Sequence, residues 1–80
     1  MRVAWRFSPR AASDARAYVF HPNQVVSDEP DGGVLVEFTA GGLREMCWHL
    51  FTWGGEVEIV RPKRLAAMMR EELARYGLNV

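Results

Sequence analysis

Residues 24–40 read Gln-Val-Val-Ser-Asp-Glu-Pro-Asp-Gly-Gly-Val-Leu-Val-Glu-Phe-Thr-Ala, and this stretch decides the fold. Two strand-like runs, 24–29 and 34–40, flank the turn Pro30-Asp31-Gly32-Gly33. Asp-Gly between two such runs marks a hairpin, because glycine takes a left-handed turn conformation without steric cost. In the second run Val34, Val36 and Phe38 share one face, and Leu35, Glu37 and Thr39 the other. A period of two with one apolar face is a half-buried strand.

Working outward toward the N-terminus, residues 2–7 (RVAWRF) alternate in the same way. Val3, Trp5 and Phe7 fall on one face, and Arg2, Ala4 and Arg6 on the other. Ser8-Pro9 then predicts a helix start, with serine as cap and proline at the first helical position. Ala11, Ala12, Ala15, Tyr18 and Val19 continue at helical spacing. His21-Pro22-Asn23 closes that helix, since a residue before proline avoids the helical region.

Toward the C-terminus, Gly41-Gly42 breaks the strand. Leu43, Met46, Cys47, Leu50 and Phe51 form the apolar stripe of an amphipathic helix over 43–53. Gly54-Gly55 supplies its left-handed stop. Residues 56–60 (EVEIV) alternate as a strand with Val57 and Ile59 inward. Pro62 opens a last helix with Leu65, Met68, Met69, Leu73 and Tyr76 on its apolar side. Glu71 and Arg75 form an i,i+4 pair on it, and Gly77 ends it. The order β-α-β-β-α-β-α predicts an α+β domain, a ferredoxin-like βαββαβ sandwich with an added C-terminal helix. Two helices cover one sheet face. The other carries Arg2, Arg6, Glu37, Thr39, Glu56 and Glu58, where opposite charges on adjacent strands can pair.

Bulk properties bound the function. Eighty residues make a single domain, 1–80. Ten basic and ten acidic residues cancel, so the basic excess of an autonomous nucleic-acid binder is absent. The single cysteine, Cys47, cannot form an internal disulfide, which favours a reducing, cytoplasmic setting. The start MRVAWRFSPR lacks the apolar core of a signal peptide. No run approaches the ~20 apolar residues that span a bilayer, so no membrane partner is expected.

No catalytic constellation emerges, and no cofactor is expected. His21, His49 and Cys47 sit singly, without the short ligand spacing of a zinc site, so no metal is expected. His49 reads as a surface residue. Cys47 lies on the apolar stripe and reads as a buried, inert thiol. Ser8, Ser13 and Ser27 lack a nucleophile-elbow context. Trp5 belongs to the core. Trp48 lies off the main stripe; it is either partly buried beside Trp53 or an exposed interface anchor. Arg61, Lys63 and Arg64 oppose the dipole of the last helix, a hint of an anionic partner against the plainer reading of a solvated surface.

The ordered pieces resemble the C-terminal extension (WCX) domain of WYL-type bacterial transcriptional regulators. They are Arg6-Phe7-Ser8-Pro9, Ala11-Ala12, His21-Pro22-Asn23-Gln24, Asp31-Gly32, the strand Val34–Phe38, the helix from Leu43 to Gly54, and Val57-Glu58-Ile59-Val60-Arg61-Pro62-Lys63-Arg64-Leu65. Asn23 stands where the family pattern has serine, and the helix acid is displaced to Glu45. The resemblance spans about residues 2–76. It implies that the chain is the C-terminal fragment of a larger regulator, lacking its winged-helix and WYL domains. DNA would be contacted only through that winged-helix domain, and a nucleic-acid or nucleotide effector mainly through the WYL domain. The implied role is homodimer formation and transmission of an effector signal.

Arg2 and Arg6 are the first candidates for effector or interdomain contact, followed by His21 and Arg44. The competing reading pairs Arg2 and Arg6 with Glu37 and Glu58. A second function class is a stand-alone small-ligand-binding domain resembling amino-acid sensors. It would use a glycine-lined pocket near Thr39–Leu43 between protomers. A third, an acylphosphatase-type enzyme, needs an anion-cradling loop after the first strand. Phe7-Ser8-Pro9-Arg10 is a poor one, because Pro9 removes a backbone donor.

Overall fold

A computed structural model describes residues 1–75. The alternating runs become strands β1 (Arg2–Phe7), β2 (Val25–Asp28), β3 (Val34–Thr39) and β4 (Val57–Arg61). The helical runs become α1 (Ala12–Ala17), α2 (Leu43–Phe51) and α3 (Lys63–Arg75). A short 3-10 turn, Gly54–Glu56, precedes β4. The four strands form one antiparallel sheet in the order β2-β3-β1-β4. β1 and β2 therefore flank β3, and β3 and β4 flank β1. The α+β class follows directly: an antiparallel sheet with three helices.

Register sorts the side chains. Trp5 lies opposite Val36 and Ile59, and Phe7 opposite Val34 and Val57. Val3, Trp5, Phe7, Val34 and Val36 are fully buried. α1 adds Ala12 and Ala15, α2 adds Met46, Cys47 and Leu50, and α3 adds Leu65. Small alanines let α1 approach the sheet closely, and the large rings of β1 fill the space beside it.

The opposite sheet face is closed by ion pairs. Arg6 Nε donates to Glu29 Oε1 at 2.6 Å, and Arg6 Nη1 to Glu58 Oε1 at 3.3 Å. The two carboxylates, Glu29 first, push the guanidinium pKa further up. Ala4 pairs in register with Glu37 and Arg61, whose side chains approach to 4.0 Å. Ala4 is fully buried on this outer face.

Several local expectations are corrected. α1 begins at Ala12, not Pro9. A turn comes first, in which Ser8 and Pro9 carbonyls accept from Ala11 and Ala12 N–H. α1 also ends at Ala17, and Tyr18 is already extended. The Gln24 side chain explains the early stop: its Oε1 accepts from Phe20 N–H at 2.7 Å and His21 N–H at 3.3 Å. Its Nε2 donates to the Tyr18 carbonyl at 3.0 Å. These bonds satisfy the backbone in a loop conformation and turn Phe20 toward the core. Tyr18 and Val19 are consequently exposed.

The predicted 43–53 helix closes at Phe51, with Thr52 as its C-cap. The predicted left-handed glycine does occur, at Gly54 with φ +61°. Glu56 lies off the sheet, in the 3-10 turn, where it accepts from Ser8 Oγ at 2.8 Å. On α3 Arg75 pairs with Glu72 at 3.3 Å rather than with Glu71. Tyr76 and Gly77 lie outside the described residues.

The hairpin turn is a tight three-residue loop. Glu29 N–H donates to Gly33 O, Gly32 N–H to Glu29 O, and Gly33 N–H to Asp31 Oδ1. A Cβ at Gly33 would sit 2.3 Å from the Phe7 carbonyl oxygen, backbone that cannot yield without moving β1. A Cβ at Gly55 meets nothing within 4 Å. Gly33→Ala is expected to destabilise the fold by about 1–3 kcal/mol, and Gly55→Ala by less than about 0.5 kcal/mol. Urea unfolding of the two variants checks this contrast.

Candidate functional site

The five residues singled out from the sequence do not converge on one site. Arg6 is held between two carboxylates at one end of the outer sheet face. Arg2 lies at the other end of that face, in a shallow hollow with Asn23, Glu37 and Arg61. Among the described residues no ion pair involves Arg2, so the expected pairing holds for Arg6 with Glu58 and not for Arg2. His21 stands on the helix side, its ring parallel to Phe38 at 5.8 Å between centroids. Arg44 is exposed in the first turn of α2. Trp48 is 52% exposed on α2, with its ring 5.5 Å from that of Phe51.

The best-formed concavity lies elsewhere, at the junction of the 18–21 loop, the end of β3 and the start of α2. It encloses about 320 Å³. The loop wall supplies Tyr18, Phe20 and His21; the strand supplies Phe38; the helix supplies Glu45 and His49. Ala40, Gly41 and Gly42 form its rim, within the Thr39–Leu43 segment that the sequence marks as a pocket candidate.

Each wall is fixed by local chemistry. Asn23 clamps the loop to β3: its Oδ1 accepts from Thr39 N–H at 3.1 Å and its Nδ2 donates to Thr39 O at 3.2 Å. The backbone N–H of Asn23 donates to His21 Nδ1 at 3.4 Å, which orients that ring. Gly42 caps α2 at φ +82°, a left-handed conformation that favours glycine. A Cβ there would lie 2.9 Å from Glu45 Oε2, so the carboxylate rests over the bare glycine. Glu45 occupies the third helical position, where a carboxylate also complements the helix dipole.

His49 was expected on the surface. It is instead half-buried among rings, 5.0 Å from Tyr18 and 5.4 Å from Phe20. Trp53 Nε1 donates to His49 Nε2 at 3.2 Å, which places the imidazole proton on Nδ1. Burial lowers the His49 pKa, so the ring is neutral at pH 7. Trp5 also lines the cleft, and its indole Nε1–H is buried without a hydrogen-bond partner.

The cleft wall combines aromatic side chains, one carboxylate and two imidazoles, with no lysine or arginine. Cys47 is buried, and burial first, then the charge of Glu72, raises its pKa and suppresses the thiolate. Among the described residues no three His, Cys, Asp or Glu side chains gather as metal ligands. No helix there is long and apolar enough to cross a membrane.

The sequence reading missed the roles of Phe20, Gln24 and His49. The one local cue was Gln24 itself, three residues after His21, where its amide can close a loop on the preceding backbone.

The family model of the WCX domain matches residues 1–77, nearly the whole chain. No curated protein matches it.

The lowered His49 pKa has a consequence for stability. The unfolded chain takes up a proton near pH ~6.5 while the folded one resists it. This contribution is fully present above the unfolded value and is lost as pH falls toward the folded one. Lowering pH from about 7.5 to 6 is expected to reduce the urea midpoint, and His49→Gln to flatten that part of the loss. Parallel urea titrations of both proteins measure it.

Proposed function

We propose that this chain, which belongs to the WCX domain family, is a non-enzymatic regulatory and dimerisation module of a cytoplasmic WYL-type transcriptional regulator. The observation that carries this reading is the family match over residues 1–77. In this proposal the chain is the C-terminal part of a longer regulator, and its winged-helix domain reads DNA. The WCX domain couples effector binding to the arrangement of the other domains. We further read the strand order β2-β3-β1-β4, with both crossovers spanning one strand, as a ferredoxin-like sandwich extended by α3.

Physical features support a docking role. β2 is an edge strand whose residues are all exposed, including Val25 at 60%. Exposed apolar edge strands invite pairing with another strand. We assign that edge to a second copy of the chain. Arg2 and Arg44 are the more available proposed contacts, since Arg6 is already engaged by Glu29 and Glu58. Effector binding would then act by shifting the population of one packing over another.

Light scattering over a concentration and salt series tests the reading. The chain is expected to dimerise, and Val25→Lys to weaken the dimer about tenfold or more, because a charge on an edge blocks strand pairing. A monomer at every concentration, or a Val25→Lys dimer of unchanged affinity, would contradict it.

A further inference from the structure

One hydrogen bond ties the last turn of α2 to the ring cluster. Trp53 Nε1–H donates to His49 Nε2 at 3.2 Å. The indole so held packs on Phe7 at 4.9 Å and on Phe20 at 5.6 Å. The bond needs a neutral imidazole. In the protonated ring both nitrogens are donors, so neither the other tautomer nor a flipped ring supplies an acceptor. A proton on Nε2 sets donor against donor and breaks this contact.

A second acceptor stands one turn back on the same helix. Glu45 precedes His49 by four residues, the spacing at which helical side chains meet. Both line the cleft. With His49 neutral, the Glu45 carboxylate rests over Gly42, where a Cβ would lie 2.9 Å from its Oε2. Glu45 is exposed, so its side chain is free to swing toward His49. The other titratable groups lining the cleft are Tyr18 and His21, both from the loop, and no lysine or arginine lines it. Glu45 is the one carboxylate there to receive an imidazolium. Burial keeps His49 neutral at pH 7, so any exchange of partners falls on the acid side.

We propose that His49 is a proton-operated latch, which holds Trp53 on the ring cluster when neutral and turns to Glu45 when protonated. Acid thereby frees the indole N–H at the junction of α2 and β4 and draws two cleft-lining side chains together. The latch involves neither the β2 edge nor a dimer.

An NMR pH titration of the ¹⁵N-labelled chain, from about pH 8 to about pH 5, tests it. The Trp53 Nε1–H signal is expected to move with the same midpoint as the His49 imidazole, while the amides of β1 and β3 stay dispersed. That midpoint should lie below the ~6.5 of a free histidine. Glu45→Gln should lower it by about 0.3 pH unit, the worth of one helical i,i+4 pair. His49→Gln offers a neutral acceptor at every pH and should leave the Trp53 signal fixed. A Trp53 signal that ignores the His49 titration, one that moves only as β1 and β3 unfold, or the same transition in His49→Gln would each overturn the latch. An unchanged midpoint in Glu45→Gln would overturn the exchange of partners.

Discussion

Strand β1 has a hydrogen-bonded neighbour along both edges, and its six residues sort the molecule into two unlike halves. Val3, Trp5 and Phe7 face the helices; Arg2, Ala4 and Arg6 face the other way. A slip of one residue would drive Arg6 among the rings and expose Trp5. The outer face reinforces the same register, because Arg6 reaches Glu58 directly across in β4 and Glu29 beyond the end of β2. These exposed pairs contribute little stability singly. Their effect is to favour the register in which Arg6 meets both Glu29 and Glu58.

The ring cluster built on β1 governs the rest. Phe20 stacks on Phe7 at 5.4 Å and meets Trp5 edge-on at 5.5 Å, while Trp53 packs on Phe7 at 4.9 Å. For Phe20 to arrive there α1 must stop after six residues, too short to be stable alone. Gln24 and Asn23 hold the loop that follows, and burial of Phe20 offsets the loss of helix. The cleft is the remainder of this arrangement. Rings fill the space between loop and α2 until Gly41 and Gly42, where side chains run out.

Elements set by local periodicity were legible in the sequence. Strands β1, β3 and β4, the apolar stripe of α2 and the burial of Trp5 and Cys47 follow from spacing, and β2 follows from the Asp31-Gly32 turn beside it. The end of α1 was not, because Tyr18 and Val19 keep helical spacing while a side chain from residue 24 claims the backbone around them. His49 looked solvated for a related reason: the rings that enclose it come from the 18–20 loop and from Trp53. The cleft was half legible. Glycines at 41–42 after a strand suggest a pocket, but the aromatic wall opposite them depends on where a loop folds back. Glu56 was misplaced because the alternating run begins one residue before the backbone becomes extended.

That fold-back of residues 18–24 onto β1 is the central structural claim, since core and cleft both depend on it. A NOESY spectrum of the chain in solution tests it directly. Strong contacts are expected from the Phe20 ring to the rings of Phe7, Trp5 and Trp53. Sequential amide–amide contacts should stop at Ala17. Helical amide contacts continuing through Tyr18 to His21, with the Phe20 ring lacking contacts to Phe7, would contradict it.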